Sequence, residues 1–152
     1  ELRGDNVFQG YWEMPEKTAE SFREDGFFIT GDMAVRDADG YISIVGRDKD
    51  LIITGGLNVY PREVEILIDE VEGVHESAVI GAPHPDFGEA VVAIIAASPG
   101  AVSADAIIEA LAGKLAKFKQ PKSVLLVGAL PRNSMGKVQK ATLREEYAGL
   151  FA

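Results

Sequence analysis

From residue 51 onward, short apolar segments alternate with stretches whose apolar residues recur at helical spacing. Four segments predict strands: 51–53, 77–80, 91–97 and 124–127. Three stretches predict helices: 61–73, one that begins after Ser103, and one that follows Lys140. Strands interleaved with amphipathic helices form a small sheet with helices packed against it. The order of elements therefore predicts an α+β domain with a short mixed sheet flanked by helices.

The two longer helices have recognisable starts and apolar faces. Pro61 sets φ for a helix start, and Gly73 is expected to end that helix. Its buried face is predicted to consist of Val64, Leu67, Ile68 and Val71, which recur at i, i+3, i+4 and i+7. Ser103 can cap the next helix, which carries Ile107, Ile108, Leu111 and Leu115. Residues 83–86 are expected to form the turn between the predicted strands 77–80 and 91–97.

Residues 1–50 show a different, β-rich pattern. A short helix is predicted at 15–22, a strand at 27–29, and a hairpin at 33–45 that turns at 37–40. The charged segment 46–50 is expected to break this hairpin. Because Glu1 is not a plausible natural start, we expect the chain to be a fragment of a longer protein.

The composition excludes several kinds of site. The chain contains no cysteine, which excludes disulfides, thiolate catalysis and thiolate-bound metals, and its two histidines are too few for a histidine-rich metal site. No apolar run of about 18 residues predicts a membrane span, and the sequence shows no secretory signal. A cytoplasmic location is therefore expected.

The charges are distributed unevenly along the chain. The net charge of −9 argues against general binding to nucleic acid. However, residues 1–112 carry seven Lys or Arg against 22 Asp or Glu, whereas residues 113–152 carry eight against two. A local positive surface on an acidic protein suits a small polyanion such as a nucleotide or coenzyme. A solvated basic helix end is the alternative.

Three polar groups of residues lie at turns between apolar elements, where functional residues tend to concentrate. Asp32 follows a predicted strand, and its carboxylate could accept hydrogen bonds from two neighbouring sugar hydroxyls. Arg47 offers a planar set of donors, and the glycines of 54–58 allow close approach of the backbone to a ligand. Lys137 places a compact charge in the turn-prone segment 131–138. Each group could instead be an ordinary solvated turn.

Four motifs, taken in their order, resemble those of the adenylate-forming acyl-CoA synthetase superfamily. They are FITGD at 28–32, GYISIVGRDKD at 40–50, GGLNVYPREVE at 55–65 and PRNSMGK at 131–137. Within that superfamily, segments 10–18 and 131–140 look most like malonyl-CoA synthetases. Short-chain and aryl acyl-CoA ligases share much of this pattern.

The resemblance implies a two-step reaction. A carboxylic acid and Mg-ATP give an acyl-adenylate and pyrophosphate, and coenzyme A then displaces AMP to form a thioester. The resemblance also implies that residues 1–47 end a large N-terminal domain, that 48–50 form a hinge, and that 51–152 are a mobile C-terminal lid. The phosphate loop, the acyl pocket and most Mg²⁺ ligands would belong to the missing N-terminal domain. The fragment alone is therefore expected to be inactive.

The resemblance assigns roles to individual residues. Asp32 and Arg47 would hold the ribose hydroxyls of ATP and AMP, and Lys49 would occupy the hinge. Lys137 would be the catalytic lysine of adenylation, and it would also be a target for a lysine acetyltransferase. The lining of the coenzyme A channel would include Gly55 and Gly56. The basic end of the chain supplies three candidates for binding the coenzyme's phosphates: Lys114, Lys117 and Lys119.

Two alternatives to a coenzyme A ligase remain open at the level of sequence. One is an adenylation unit that loads a carrier protein, and the other is a non-enzymatic binding module that resembles the lid. In the ligase interpretation the partners are a small carboxylate, ATP, coenzyme A and the missing N-terminal domain. No metal site, nucleic-acid site or membrane span is predicted within the chain.

Overall fold

The computed structural model describes all 152 residues, which form two compact units, Glu1–Lys49 and Asp50–Ala152. In the first unit, α1 (Pro15–Ser21) precedes an antiparallel pair of strands, β1 (Asp32–Arg36) and β2 (Ile42–Arg47). The predicted short helix and hairpin are therefore confirmed. The hairpin, however, does not break at residue 46, because Gly46 and Arg47 continue β2 and pair with the start of β1.

The predicted strand at 27–29 is wrong. Phe28 forms isolated bridges to Leu2 and Phe22, and no continuous ladder extends from them. Gly31, at φ +69°, turns the chain away directly after this segment. The residues around Phe28 are held instead by aromatic packing, in which the ring centroids of Phe8, Phe22 and Phe28 lie 5.1 to 5.6 Å apart.

The second unit is built on a five-stranded mixed sheet. Its strands are β3 (Ile52–Thr54), β4 (Leu57–Val59), β5 (Val74–His84), β6 (Gly88–Ala97) and β7 (Ser123–Val127). The strand order is β4-β3-β6-β5, and β7 pairs in parallel with β6 while the other pairs are antiparallel. This arrangement confirms the predicted α+β class. The short strand β4 was not predicted.

The β5–β6 hairpin is longer than its sequence predicts. The turn expected at 83–86 is displaced toward residue 88, because Pro83 and His84 still pair with Glu89 and Gly88. Proline is tolerated in a strand where its missing N–H would face an open edge. The Val79 N–H points to the open edge of β5, where it donates to Glu65. Backbone N–H groups two or four residues apart on a strand point to the same side, so the missing N–H of Pro83 would also face this open edge.

Three α-helices pack on the sheet: α2 (Pro61–Asp69), α3 (Ala104–Leu111) and α4 (Lys140–Glu146). Two 3₁₀ turns, at Asp48–Asp50 and Lys117–Lys119, complete the elements. Ser103 caps α3 as predicted, since its hydroxyl accepts a hydrogen bond from the Ala106 N–H. The first of these helices ends at Asp69 and not at Gly73, although Val71 beyond its end still packs against the core.

The core has two layers because both faces of β6 are covered. Along β6, alternate residues enter alternate layers, as the two-residue period of a strand requires. One layer joins β6 to α2 and α3 and contains Val64, Ile68, Ile95, Ile107 and Leu111. The other joins β6 to α4 and contains Ile80, Ile94, Leu130 and Leu143. No helix of the structure is long and apolar enough to cross a membrane.

Candidate functional site

The β1–β2 register brings Asp32 and Arg47 together. They are paired residues on neighbouring strands, and Arg47 Nε lies 3.0 Å from Asp32 Oδ1. The same guanidinium donates a hydrogen bond to the Thr30 carbonyl at 3.1 Å, and the Thr30 hydroxyl accepts one from the Asp32 N–H. The Asp32 side chain is half-buried and that of Arg47 is exposed. The pair therefore presents a carboxylate and a donor-rich guanidinium side by side at one end of the hairpin.

Lys49 lies in the 3₁₀ turn Asp48–Asp50, at the boundary of the two compact units. It is exposed, and no ion pair or side-chain hydrogen bond involves it. Its neighbour Asp50 is held firmly within the second unit, where Arg144 of α4 donates to it at 2.7 Å. The assignment of 48–50 as a hinge stays a prediction.

Gly55 and Gly56 form the two-residue turn between β3 and β4. Their φ values are +56° and +79°, and positive φ at both central positions defines the type I′ hairpin turn that favours glycine. The Gly55 N–H donates to the Phe87 carbonyl at 2.9 Å, which ties the turn to the β5–β6 connection. A Cβ at Gly56 would meet no atom within 4 Å. Local backbone geometry thus already requires these glycines, and the turn is open to solvent.

Lys137 lies in a small, internally bonded loop. The Asn133 Oδ1 accepts hydrogen bonds from the N–H groups of Met135 and Lys137, at 3.0 and 2.9 Å. The Gly136 N–H donates to the Asn133 carbonyl, and the base of the loop closes where Gln139 N–H donates to the Pro131 carbonyl at 2.8 Å. The Lys137 side chain is exposed and takes part in no ion pair. These hydrogen bonds hold the backbone of the loop in place, and the Lys137 ammonium is free to contact a ligand.

Arg132 and Lys140, which the sequence did not single out, connect this loop to β5 and to α2. The Arg132 guanidinium bonds to the Glu76 carboxylate on β5 and donates to the Gly136 carbonyl. On the other side of the loop, Lys140 Nζ lies 2.6 Å from Oε1 of the buried Glu65 on α2. The signal for Glu65 was present in the sequence, because a carboxylate at this position falls within the apolar stripe formed by Pro61, Val64 and Ile68.

The three candidate lysines for coenzyme phosphates differ in their surroundings. Lys119 Nζ contacts both carboxylate oxygens of Glu63 at 2.7 Å, so its charge is already matched. Lys114 and Lys117 are exposed and form no ion pair. No hydrogen bond or ion pair joins these lysines to Lys137 or to the Gly55–Gly56 turn. They remain separate candidate contacts.

No group of three or more His, Asp or Glu side chains is arranged to hold a metal ion. The carboxylates at the candidate sites are already paired: Asp32 with Arg47, and Glu65 with Lys140.

Part of the second unit is similar to a known protein family. Residues 63–137 match the model of the AMP-binding enzyme C-terminal domain. Over 95% of its length, the chain is 47% identical to the 3-[(3aS,4S,7aS)-7a-methyl-1,5-dioxo-octahydro-1H-inden-4-yl]propanoyl:CoA ligase of Rhodococcus jostii. Over 97% of its length, it is 44% identical to the long-chain-fatty-acid–CoA ligase FadD13 of Mycobacterium tuberculosis.

The fold agrees with that of a solved crystal structure. The crystal structure of ATP-bound MatB from Rhodopseudomonas palustris is 56% identical over 99% of the chain, with a TM-score of 0.88. The chain covers 30% of MatB, and 28% and 29% of the two ligases, so it spans less than a third of these relatives. Residues 63–137, which run from α2 to the Lys137 loop, are thus similar to the AMP-binding enzyme C-terminal domain.

Proposed function

We propose that this chain is the C-terminal part of an AMP-forming acyl-CoA ligase. The observation that carries the proposal is the similarity to acyl-CoA ligases along 95% and 97% of the chain, at 47% and 44% identity. That similarity extends across both compact units. The internally bonded loop with its exposed Lys137 is the local feature that suits the chemistry.

In the first half-reaction, a substrate carboxylate oxygen attacks the α-phosphorus of ATP, and the bond to pyrophosphate breaks. Lys137 would place positive charge where negative charge develops, without transferring a proton. One such preorganised contact contributes about 10² to 10³ in rate. The Asp32 carboxylate would accept hydrogen bonds from the ribose hydroxyls, and Arg47 would hold that carboxylate in place and donate alongside it. Mg²⁺ would accompany ATP, held mainly by residues outside this chain.

In the second half-reaction, the thiol of coenzyme A attacks the acyl carbon, the proton leaves the sulfur, and AMP departs with the electron pair of the mixed anhydride. The Gly55–Gly56 turn would line the passage for the pantetheine arm, since glycines narrow a channel least. Rotation of residues 51–152 about 48–50 would exchange Lys137 for this turn at the reacting centre. Lys114 and Lys117 would contact the coenzyme's phosphates from the surface.

The finer proposal is that the acid is malonate. The segments 10–18 and 131–140, which look most like those of malonyl-CoA synthetases, support it. A fatty-acid or aryl ligase is the second candidate, because FadD13 and a feruloyl-CoA synthase of Amycolatopsis are 44% and 43% identical.

The test is a pyrophosphate-exchange panel on the full-length enzyme with malonate, methylmalonate, acetate, benzoate and longer acids. We expect exchange with at least one acid, and the fastest exchange with malonate. Fast exchange only with benzoate or long acids would contradict malonate as the substrate and favour a fatty-acid or aryl ligase. Exchange with none of a broad acid panel would contradict the ligase itself. The 152-residue chain alone is expected to give no exchange and to bind ATP poorly by calorimetry.

A further inference from the structure

The segment that follows the Lys137 loop is fixed by a charge pair that spans the edge of the sheet. Lys140 begins α4, which packs on one face, and Glu65 lies on α2, which packs on the other. Their side chains meet at the open edge of β5, with Lys140 Nζ 2.6 Å from Glu65 Oε1. The same oxygen accepts a hydrogen bond from the Val79 N–H of β5 at 2.9 Å. One carboxylate therefore joins two helices and the edge strand.

The placement of Lys140 is not explained by its own helix. Cations are unfavourable in the first turn of a helix, where the macrodipole is positive, and Lys140 is the first residue of α4. Gln139 before it provides no side-chain cap. The compensating interaction is the distant carboxylate, and both partners are largely buried, with side-chain exposures of 19% for Lys140 and 8% for Glu65. A partly buried ion pair that also accepts a hydrogen bond fixes the positions of its two side chains more firmly than an exposed ion pair does.

Lys140 is also closely coupled to Lys137. Only Val138 and Gln139 lie between them, and the Gln139 N–H closes the base of the loop on the Pro131 carbonyl. The loop is held on its other side by Arg132, but that contact is more exposed than the Glu65–Lys140 pair. Release of Lys140 would therefore remove the more buried of the two side-chain contacts that anchor the loop to the rest of the second unit.

We propose that Glu65 and Lys140 are positioning residues that hold the Lys137 loop in place for adenylate formation. This inference rests on the role proposed above for Lys137. We assign neither residue a contact with the substrate, because Glu65 lies on the buried face of α2 and the ammonium of Lys140 is occupied by Glu65. Misplacement of a reacting group by about 1 Å costs on the order of 100-fold in rate, so loss of the pair has a measurable cost.

The test uses Lys140→Met in the full-length enzyme, which keeps most of the unbranched side chain and removes its charge. We expect kcat for pyrophosphate exchange to fall about ten- to hundredfold with little change in the KM for ATP. Thioester formation from supplied acyl-adenylate should be unchanged, and Lys140→Arg should restore most of the exchange. Arg62→Met is the matched control, because Arg62 also approaches Glu65, at 4.0 Å, from a position on α2 remote from the loop.

Two results would overturn the proposal: exchange within about twofold of the unchanged enzyme, or an equal loss of both half-reactions, which is the mark of general destabilisation. If Lys140→Met does not fold, Glu65→Gln decides the question, because it keeps an acceptor for the Val79 N–H while removing the charge. Lys137→Ala is measured in parallel. If Lys137→Ala leaves exchange intact, the proposed role of Lys137 fails; if only Lys137→Ala impairs it, the positioning proposal alone fails.

Discussion

Asp32 and Arg47 are paired residues on adjacent strands, and their side chains form an ion pair with a Nε–Oδ1 distance of 3.0 Å. Arg47 also donates to the Thr30 carbonyl, so it has two partners that fix its guanidinium. The pair is too exposed to contribute much to folding, since exposed ion pairs contribute about 0–1 kcal/mol.

Asp32→Ala is expected to weaken ATP binding without unfolding the protein. Hydrogen bonds to a charged group contribute about 1.5–3 kcal/mol, so the KM for ATP in the full-length enzyme should rise about ten- to hundredfold. The melting temperature should hardly change. Arg23→Met is the matched control, because it removes another exposed ion pair of the same unit, with Glu1 at 2.7 Å. An unchanged KM for ATP in Asp32→Ala would contradict the ribose assignment.

Lys137→Ala is expected to affect only one half-reaction. Its side chain is exposed and unpaired, so folding should be unaffected, while pyrophosphate exchange falls about 10² to 10³-fold. Thioester formation from supplied acyl-adenylate should continue. Met135→Ala is the control on the same loop, since Met135 is 73% exposed. Equal loss of both half-reactions would argue against a lid that exchanges Lys137 for another surface.

A substitution in the Gly55–Gly56 turn can test whether this turn lines the coenzyme A channel, provided that the effect of backbone strain is controlled for. Asparagine tolerates positive φ better than other side chains, so Gly56→Asn should fold with a modest loss of stability. We expect it to slow thioester formation while adenylation continues. Gly100→Asn is the control, because Gly100 has a φ of +78° and equally open surroundings. If both variants show the same small change in rate, the turn does not line the channel.

The two-layered core makes a prediction about stability. Ile94 is fully buried in the layer beneath α4, whereas Ile53 on β3 is 51% exposed. Ile94→Ala should lower the free energy of unfolding by about 2–5 kcal/mol, and Ile53→Ala by much less. Amide hydrogen exchange along β5 and β6 measures this in the second unit specifically. Similar effects of the two changes would contradict the assigned packing.

The sequence predicted those parts of the fold that depend on local pattern. Val64 and Ile68 fall on the buried face of α2 as their spacing requires, and Ser103 caps α3. The strand β4 was missed because Leu57–Val59 is three residues long and half-exposed, and only the preceding glycine turn folds it back onto β3. Segments this short have too little pattern to be recognised alone.

The candidate site was only partly accessible from sequence. Roles for Asp32, Arg47, Lys137 and the glycine turn could be predicted because each lies in a contiguous motif, and these roles stay predictions. The Glu65–Lys140 pair was not, since its partners lie 75 residues apart and meet only when α2 and α4 cover opposite faces of the sheet. Pairing across a sheet edge is a property of the tertiary structure, and local periodicity does not report it.

The last prediction concerns the basic end of the chain, where the structure separates three similar lysines. Lys119 is matched by Glu63 through both carboxylate oxygens, whereas Lys114 and Lys117 are free. Lys114→Ala and Lys117→Ala should each raise the KM for coenzyme A about two- to fivefold, in keeping with exposed charge pairs. This effect should diminish at high salt, because exposed charges are screened.

Glu63→Gln decides the role of Lys119. The change releases the Lys119 ammonium without removing it, so an ammonium that binds the coenzyme's phosphates would then lower the KM for coenzyme A. We expect instead an unchanged KM and a small loss of stability, because Lys119 serves to join the 3₁₀ turn Lys117–Lys119 to α2. A KM that falls in Glu63→Gln and rises in Lys119→Met would place Lys119 among the coenzyme contacts.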